Sequence, residues 1–359
     1  MRVLLLTRYG RLGASSRLRA YQYLPYLQSH GFYVTQAPLL GDYYQEDLNT
    51  GHPRRWGRIT AAYILRLSWL ARSLAFDLVW IEYELFPWFP AFAEQLLASA
   101  RIPFLVDYDD AVYHRYDLHS NALVRALLGK KIDVVMRRAR TVTVGNEYLA
   151  ERARAVGARC VEYLPTVVDL DRYPPPPRRH GSSVFTVGWI GSPSTVKYLS
   201  LIAPALASFC RDCNARLVVV GARDASLEGV PMEFRPWSEA TEVRDILDFD
   251  VGIMPLPDDP WERGKSGYKL IQYMACSRPV IASPVGVNRQ IVDDGLNGFV
   301  ATTLEDWRSA LDTLRRAPEL GTQLGVAGRQ KVETMYNTRV IAPRLASILE
   351  RAANHGVAL

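Results

Sequence analysis

Short apolar segments alternate with segments of helical spacing along the chain, and this alternation constrains the fold more than any other feature of the sequence. Five strands are predicted in the first half, at residues 2–7, 33–40, 77–83, 103–109 and 139–146. One helix is predicted directly after the first strand, over residues 13–31. Short apolar strands separated by helices form parallel sheets with helices on both faces. The first half is therefore predicted to be a doubly wound α/β domain.

The same alternation restarts in the second half. Six strands are predicted at residues 184–191, 215–222, 231–237, 251–257, 278–284 and 298–301, and helices around residues 194–209, 239–248, 267–276 and 304–316. Two successive sheets of this kind make two Rossmann-like domains, which we expect to face an interdomain cleft. Ligands of such sheets bind at the carboxyl ends of the strands. The loops that follow the strands are therefore the expected binding regions.

Four consecutive prolines, Pro174–Pro177, separate the two halves. Proline cannot continue a helix or a central strand, so this run favours a stiff extended link. A chain of 359 residues also fits two domains better than one. We predict an N-terminal domain over residues 1–173, a linker over 174–182, a C-terminal domain over 183–336, and a C-terminal helix over 337–359 that crosses back to the N-terminal domain.

Composition and charge restrict the possible partners and the location. The net charge of +6 favours an anionic partner. The arginines form no repeated aromatic–basic motif that would read bases, so nucleic acid is not a predicted partner. No apolar run approaches the roughly 20 residues of a membrane span, and the apolar start of the chain, interrupted at Arg8, is predicted to be a strand rather than a signal peptide. A cytoplasmic protein is predicted.

The cysteines do not indicate a redox or zinc site. Four cysteines in so long a chain, at Cys160, Cys210, Cys213 and Cys276, do not make a disulfide framework. Cys210 and Cys213 have the spacing of a redox motif, but no second pair of ligands completes a zinc site. We predict buried or incidental thiols.

The tripeptide Gly264-Lys265-Ser266 looks like the end of an ATP-binding phosphate loop. Such a loop needs a glycine five positions earlier, where this chain has Asp259 followed by bulky and charged residues, so an NTPase is excluded. A different phosphate site remains, because Gly267 opens a predicted helix whose first N–H groups and dipole favour an anion. The alternative is an ordinary helix capped by Ser266 with solvated lysines.

Several segments resemble retaining glycosyltransferases of the GT-B fold, family four, the glycosyl transferases of group 1. Residues 267–286 and 292–301 are similar to the family's donor-nucleotide signature, and the matching residues are Gly267, Met274, Ala275, Pro279, Val280, Ile281, Ala282, Asn297, Gly298 and Phe299. Residues 187–199 resemble the opening loop of the family's second domain. Residues 9–35 resemble its amino-terminal glycine-containing loop and helix, and residues 165–173 the segment that closes its first domain.

The resemblance implies a hexosyltransferase that moves a hexose-type sugar from a UDP- or GDP-linked donor to a saccharide or lipid-linked acceptor, in surface polysaccharide or glycoconjugate synthesis. The donor-binding residues it implies are Gly13, Gly191, Ser192, Lys197, Glu262, Lys265, Ser266, Gly267, Tyr268, Lys269 and Gln272. Lys197 and Lys269 are also predicted to be catalytic, since cations stabilise the charge that develops on the leaving diphosphate. A basic residue then does what a metal ion does elsewhere, so no metal and no cofactor beyond the donor itself is predicted.

The sequence departs from the family at its pair of glutamates. The second glutamate falls at Gln272 and the first at Gly264, with Glu262 two residues away. The amide oxygen of Gln272 can still accept a hydrogen bond from a ribose hydroxyl group. The departure also motivates a catalytically silent sugar-nucleotide-binding scaffold. A nucleotide-sugar epimerase or a sugar phosphorylase of the same two-domain fold is a further alternative.

The most polar strand end of the first domain lies at residues 106–117, where three aspartates precede His114. The resemblance implies that Asp109 or Asp110 contacts the transferred sugar, and both are predicted catalytic residues. Two alternatives are a carboxylate that caps the next helix and a divalent-ion site.

Residues 54–76 form a predicted amphipathic helix. Its apolar face carries Ile59, Tyr63, Leu67, Leu70 and Leu74, and its basic face carries Arg55, Arg58, Arg66 and Arg72, with Trp69 among them. A basic helix with an interfacial Trp suits adsorption to an anionic membrane surface. This predicts peripheral association with the inner face of the plasma membrane. The alternative is a surface helix with a solvated polar face.

Overall fold

The structure is a computed structural model that describes residues 1–50, 52–53, 55–174, 184–223 and 225–354. The chain divides into two compact units. Unit 1 comprises Met1–Thr166, Gly264–Ser266 and the segment that begins at Thr338, and unit 2 comprises Val167–Arg263 and Gly267–Asn337.

Unit 1 contains a parallel sheet of six strands, in the order β2-β1-β3-β4-β5-β6. The strands are β1 (Arg2–Leu6), β2 (Tyr33–Gln36), β3 (Leu78–Glu82), β4 (Phe104–Tyr108), β5 (Thr141–Val144) and β6 (Val161–Tyr163). The helices that accompany them are α1 (Ala14–Arg19), α2 (Leu24–Ser29), α3 (Asp42–Thr50), α4 (Trp56–Arg72), α5 (Phe92–Ser99), α6 (His114–Asp117), α7 (Ala122–Leu128), α8 (Lys131–Arg138) and α9 (Glu147–Ala155). The central strands β3 and β4 are buried along their whole length, as the apolar runs predict.

Unit 2 contains a second parallel sheet of six strands, in the order β12-β11-β10-β7-β8-β9. The strands are β7 (Phe185–Ile190), β8 (Ala215–Val220), β9 (Met232–Arg235), β10 (Val251–Met254), β11 (Val280–Ala282) and β12 (Gly298–Val300). The helices are α10 (Ala203–Asp212), α11 (Glu242–Leu247), α12 (Pro260–Arg263), α13 (Tyr268–Ala275), α14 (Asn288–Ile291), α15 (Leu304–Arg316) and α16 (Pro318–Met335). The chain then forms α17 (Thr338–Asn354), which belongs to unit 1. Two Rossmann-like α/β units are thereby confirmed.

The division between the units differs from the predicted domain ends. It falls after Thr166, whereas the N-terminal domain is predicted to run to residue 173. Residues 167–173 pack with unit 2 because Val168 N donates to Tyr336 O (3.1 Å) and the Tyr173 hydroxyl donates to Glu242 Oε1 (2.9 Å). Of the predicted linker, residues 175–182 lie outside the described part of the chain.

The predicted helix over residues 13–31 is interrupted. α1 ends at Arg19, a 3₁₀ turn covers Tyr21–Tyr23, and α2 starts at Leu24. Pro25 occupies the first turn of α2. A proline inside a continuous helix would lose a hydrogen bond and clash with the carbonyl group four residues earlier, so the chain starts a new helix there.

The face assignment of α4 is wrong at Arg66. This arginine is predicted on the solvated basic face, but only 2% of it is exposed. Its Nη2 donates to Thr7 O (2.6 Å) and to Ala37 O (3.1 Å), just beyond the ends of β1 and β2. Burial lowers the pKa of Arg66 to about 10, so the guanidinium group stays charged at neutral pH. Arg54, predicted to start this helix, lies outside the described residues.

Within the described residues, no helix combines the length and the apolar character that crossing a bilayer requires.

Candidate functional site

In unit 2, the loop after β7 brings two predicted donor-binding residues together. Gly191 N donates to Val220 O (2.9 Å), which ties this loop to the end of β8. A Cβ atom on Gly191 would lie 2.7 Å from Cε of Lys269. The Lys269 ammonium group lies 5.4 Å from the centroid of the Trp189 ring. The absence of a side chain at position 191 therefore makes room for the stem of Lys269 at the carboxyl edge of the sheet.

The start of α13 has the geometry that an anion site needs. Gly267 is the N-cap residue at φ +66°, a left-handed conformation that favours glycine, and no side chain caps the helix. A Cβ atom on Gly267 would also lie 2.3 Å from Cδ1 of Ile291. The alternative in which Ser266 caps this helix is wrong. Tyr268 and Lys269 are the first two helical residues, so their backbone N–H groups lie in the first turn.

The tripeptide Gly264–Ser266 groups with unit 1 and contacts Asn146 there. The buried Asn146 side chain donates through Nδ2 to Gly264 O (2.8 Å) and to Lys265 O (3.0 Å). A Cβ atom on Gly264 would lie 2.4 Å from Cβ and 2.7 Å from N of Ala111. Only glycine fits this close approach, so a glutamate, which the resemblance implies at position 264, does not fit this packing.

Glu262 and Lys197 both lie close to one tyrosine, Tyr198. The buried Glu262 accepts a hydrogen bond through Oε1 from the Tyr198 hydroxyl group. The exposed Lys197 ammonium group lies 5.4 Å from the centroid of the Tyr198 ring. Ser192 is exposed in the preceding loop, where its Oγ lies 2.9 Å from Oγ of Ser194.

Gln272 belongs to a buried network that the sequence analysis missed. Only 4% of Gln272 is exposed, and its Nε2 donates to the Tyr173 hydroxyl group (3.1 Å). Glu242, which is 2% exposed, accepts from Tyr173 (2.9 Å), from Arg172 Nη2 (2.8 Å) and from Trp237 Nε1 (3.0 Å). No local motif signals this network, because its members come from three segments that are far apart in the sequence: Arg172 with Tyr173, Trp237 with Glu242, and Gln272.

In unit 1, Asp109 follows β4 and is held by a tyrosine. The Tyr83 hydroxyl group donates to Asp109 Oδ1, and Oγ of Ser15 lies 2.9 Å from the same hydroxyl group. Burial raises the pKa of Asp109, and the hydrogen bond from Tyr83 counteracts that rise. Tyr83 has φ +62°, an unusual conformation for a tyrosine. Ser15 lies in α1, and the N-cap residue of α1 is Gly13, a predicted donor-binding residue. Contacts from Ser15 to Tyr83 and from Tyr83 to Asp109 therefore connect α1 with this aspartate.

The other polar residues near this edge of the sheet mostly form hydrogen bonds with other residues of the protein. Asp107 accepts two hydrogen bonds from Arg19 (2.6 and 2.8 Å). Nδ1 of His114 lies 2.8 Å from Oδ1 of Asp117, and its Nε2 lies 2.9 Å from the Tyr148 hydroxyl group. Asp110 is half-buried. The helix-capping alternative for these aspartates is wrong, since no side chain caps α6.

Within the part of the chain that the structure describes, potential metal ligands and thiols form no further site. Over the described ranges, no three His, Cys, Asp or Glu side chains are grouped so that they could hold a metal ion. All four cysteines are free. Burial raises the pKa of Cys210 to about 11 and that of Cys276 to about 12, so neither is a reactive thiolate at neutral pH.

The second half of the chain matches a known family. Residues 182–316 match the family model "Glycosyl transferases group 1". The predicted resemblance to the glycosyl transferases of group 1 is thereby confirmed over these residues, which include the loop after β7 and the start of α13. A comparison with curated protein sequences found no match.

Solved structures share the fold of the chain. Sucrose-phosphate synthase from Thermosynechococcus elongatus is 14% identical with a TM-score of 0.70, and the alignment covers 98% of both chains. HepE from Anabaena in complex with UDP and glucose is 16% identical with a TM-score of 0.68, over 98% of this chain and 99% of HepE. A glycosyltransferase from Rickettsia africae is 12% identical with a TM-score of 0.70, over 99% of both chains. These similarities confirm the predicted GT-B fold class.

Proposed function

We propose that the protein is a retaining hexosyltransferase that uses a nucleoside diphosphate sugar. The observation that carries the proposal is the position of Lys269, beside Gly191, which has no side chain, and in the first turn of α13. The family match over residues 182–316 supports it, since both elements lie inside the matched region. HepE, a protein of similar fold, has been crystallised with UDP-glucose, which supports a UDP-linked donor. A GDP-linked donor is the second possibility.

The proposed chemistry places the diphosphate at the start of α13. When the bond between the anomeric carbon and the diphosphate breaks, the diphosphate leaves with the bonding electrons. The Lys269 ammonium group, the first N–H groups of α13 and the Lys197 ammonium group stabilise the developing negative charge. The acceptor hydroxyl oxygen then bonds to the anomeric carbon on the face from which the diphosphate leaves, and its proton passes to an oxygen of the leaving diphosphate. We propose that this reaction is independent of metal, because the lysines supply the positive charge.

The remaining predicted residues have supporting roles in this proposal. Glu262, Ser192, Lys265 and Ser266 complete the donor site, and Gly13 keeps the start of α1 open. Asp109, with Asp110 beside it, contacts the transferred sugar in unit 1. The acceptor is a saccharide or a lipid-linked saccharide of surface polysaccharide or glycoconjugate synthesis, and we propose a cytoplasmic location with peripheral membrane association.

A non-catalytic sugar-nucleotide-binding scaffold is the second candidate. It is favoured by Gln272, whose amide group donates within the buried network of Tyr173 and Glu242. A scaffold binds the nucleotide but gives no transfer and no donor hydrolysis.

Thermal-shift titration tests the donor site. UDP, GDP, ADP, TDP and CMP are compared, followed by the sugar nucleotides of any base that binds. We expect one diphosphate to stabilise the protein, and Lys269→Ala to weaken its binding about tenfold or more, as loss of a charge-assisted contact predicts. Lys130→Ala, an exposed lysine of unit 1, is the control. No shift with any nucleotide contradicts the proposal, and a shift without turnover favours the scaffold.

A further inference from the structure

The side-chain amide group of Asn146 forms hydrogen bonds at both of its ends. Asn146 is the N-cap residue of α9, where its Oδ1 accepts a hydrogen bond from Leu149 N (3.0 Å). Its Nδ2 donates to Gly264 O (2.8 Å) and to Lys265 O (3.0 Å). Only 1% of Asn146 is exposed, and an amide nitrogen has just two hydrogen atoms to donate. One buried side chain therefore caps a helix and uses its full donor capacity on a segment that starts 118 residues further along the chain.

Gly264–Ser266, the segment that Asn146 holds, is packed into unit 1, although the residues directly before and after it belong to unit 2. Gly264 is buried, and a Cβ atom there would lie 2.7 Å from Ala111 N and 2.4 Å from Ala111 Cβ. The hydrogen bonds from Asn146 and this close contact hold the same short piece of chain. Its backbone is therefore fixed by unit 1.

The tripeptide lies beside the strand end that carries Asp109. A Cβ atom on Gly145 would lie 3.7 Å from Cβ of Ser266 and 3.4 Å from Cα of Asp109. Gly145 N also donates to Tyr108 O (2.8 Å), which joins the ends of the paired strands β4 and β5. Gly145 directly precedes Asn146. The contact that Asn146 makes is therefore located at the carboxyl edge of the unit 1 sheet, next to the aspartate predicted to contact the transferred sugar.

The direction of the two bound carbonyl groups determines the direction of two N–H groups. In a trans peptide unit the C=O and N–H bonds point to opposite sides. Gly264 O and Lys265 O both face Asn146. The N–H groups of the same two peptide units, those of Lys265 and Ser266, therefore point away from Asn146. Neither of them, nor the N–H group of Gly267, has a hydrogen-bond acceptor among the described residues.

Consecutive N–H groups without protein acceptors suit an anion. Lys265 and Ser266 are half-buried, so a ligand has access to this segment. Gly267 follows them directly and caps α13, whose first turn adds further N–H groups and the positive end of the helix dipole. If the two carbonyl groups were turned toward the ligand instead, their oxygens would repel an anion. The orientation that Asn146 imposes is thus the one that favours phosphate oxygens.

We infer that Asn146 is a positioning residue of the donor site, which turns the N–H groups of Lys265 and Ser266 toward the diphosphate. The inference deepens the proposed function and rests on it for the place of the diphosphate at the start of α13. Asn146 acts through the backbone and does not itself touch the donor. N–H groups that are oriented before the ligand binds stabilise a developing negative charge without rearrangement. Because the same contact lies beside Asp109, it also keeps the phosphate-binding segment next to the aspartate proposed to contact the sugar.

Two substitutions separate this role from helix capping. Asn146→Ser and Asn146→Asp each keep a side-chain oxygen, and both residue types cap helices about as well as asparagine does. Neither can donate the two hydrogen bonds to the carbonyl groups of Gly264 and Lys265. Serine leaves a small cavity, whereas aspartate keeps the volume and adds a charge. An effect that both variants share is therefore due to the lost N–H donors.

Limited proteolysis of the full chain without nucleotide tests the contact itself. Trypsin cleaves after Lys265, and this cleavage needs local opening of the segment, so its rate follows the population of the open form. We expect cleavage after Lys265 to be about tenfold faster in both Asn146 variants than in the unaltered protein. Cleavage after Arg101, an exposed arginine of unit 1, should keep its rate, which excludes global unfolding as the cause.

Nucleotide titration tests the consequence for the donor site. UDP and uridine are titrated against each protein, and GDP and guanosine if GDP is the diphosphate that binds. The Kd of the diphosphate should rise about fivefold or more in both Asn146 variants, as the loss of charge-assisted hydrogen bonds predicts. The Kd of the nucleoside should stay the same, since a nucleoside lacks the phosphates. A role in folding alone would weaken the binding of both ligands together.

Asn121→Ser is the matched control. Asn121 caps α7, where its Oδ1 accepts from Leu123 N (2.8 Å), and its side chain makes no second hydrogen bond within the described residues. This variant should change neither the cleavage after Lys265 nor the Kd of the diphosphate.

Three results would overturn the role of Asn146. The first is that the Asn146 variants bind the diphosphate as tightly as the unaltered protein does. The second is that the nucleoside, or the Asn121 control, loses as much affinity. The third is that cleavage after Lys265 is not accelerated. Failure of the proposed function gives a different result, because the unaltered protein then binds no diphosphate at all.

Discussion

The Tyr83 hydroxyl group donates a hydrogen bond to Oδ1 of Asp109, and it does so from a tyrosine in the left-handed region of backbone conformation. Tyr83 is buried, and its carbonyl oxygen accepts a hydrogen bond from the Tyr108 hydroxyl group (2.8 Å). Asp109 is buried as well, so its ionised form depends on this donor and on the positive charge of Arg19. Tyr83 is thus positioned to control the protonation state of the aspartate.

The first prediction concerns Tyr83→Phe, which removes the donor and keeps the ring. The pKa of Asp109 should rise further, since a hydrogen bond to the carboxylate favours the ionised form. If transfer requires the ionised carboxylate, the acidic limb of the kcat/KM profile moves to higher pH. Tyr33→Phe, at an exposed tyrosine of β2, is the control. An unchanged profile in Tyr83→Phe would contradict a link to Asp109.

The second prediction concerns the buried Glu82 at the end of β3. Burial raises its pKa from 4.5 to about 7, and no hydrogen-bond partner is found for its Oε1 in the described structure. A raised pKa means that the folded state binds the proton more tightly than the unfolded state does. The stability that Glu82 contributes is therefore complete below pH 4.5 and is lost as the pH rises through 7.

The substitution Glu82→Gln should remove this loss of stability at higher pH. Its amide oxygen can still accept the hydrogen bonds from Arg8 N and Ser16 Oγ that now reach Oε2. The free energy of unfolding of the variant, relative to the original protein, should rise between pH 5 and pH 8 by on the order of 1–3 kcal/mol. Urea denaturation at both pH values measures it, with the exposed Glu319→Gln as control. If the free energy of unfolding had the same pH dependence in the original protein, in Glu82→Gln and in Glu319→Gln, the raised pKa assigned to Glu82 would be refuted.

The third prediction concerns Gly264, the position at which the resemblance to the glycosyltransferases implies a glutamate. Gly264→Ala should destabilise the protein by about 1–3 kcal/mol, because the new Cβ atom meets Ala111 at 2.4 Å. Gly264→Glu, which restores the family residue, should lower the activity rather than raise it. Gly57→Ala is the control, since a Cβ atom there meets nothing within 4 Å; in α4 it should be neutral or stabilising by up to about 1 kcal/mol. A fully stable Gly264→Glu protein would be incompatible with this packing.

The fourth prediction concerns the network around Glu242 in unit 2. Glu242→Ala leaves the Arg172, Tyr173 and Trp237 donors without their acceptor and should lower the free energy of unfolding by about 3–5 kcal/mol. Glu239→Ala is a matched control, because Glu239 lies 3.1 Å from the same Arg172 but is about one-third exposed. It should cost less than about 1 kcal/mol. Similar losses in the two variants, measured by urea denaturation, would show that the network contributes little.

The local pattern of the chain was enough to predict most of the secondary structure. Eleven strands were predicted from apolar runs, and each of them overlaps a strand of the structure. The one described strand that was not predicted is β6. Its three residues are only half-buried and include Glu162, so no apolar run marks it. The interruption between α1 and α2 was also missed, although Pro25 signals it.

The predicted donor-binding residues show which features of the site could be predicted from the local sequence. The glycine at position 267 and the helix that follows it were recognisable in the sequence, because a cap and a helical spacing are local properties. The contact between Gly191 and Lys269 joins residues far apart in the chain. It exists only because β7 and α13 are assembled in one unit.

Tertiary packing, rather than the sequence pattern, determined which side chains are buried. It also determined which polar groups form hydrogen bonds inside the protein. Helical periodicity placed Arg66 among solvated arginines, yet two backbone carbonyl groups at the sheet edge bind it inside unit 1. Gln272 matched a ligand position, yet its amide group donates to Tyr173. Repeating apolar positions specify local backbone conformation, since each depends only on near neighbours in the chain. Burial and hydrogen-bond partners depend on residues that meet only after the sheets have formed, and these contacts became visible only in the tertiary structure.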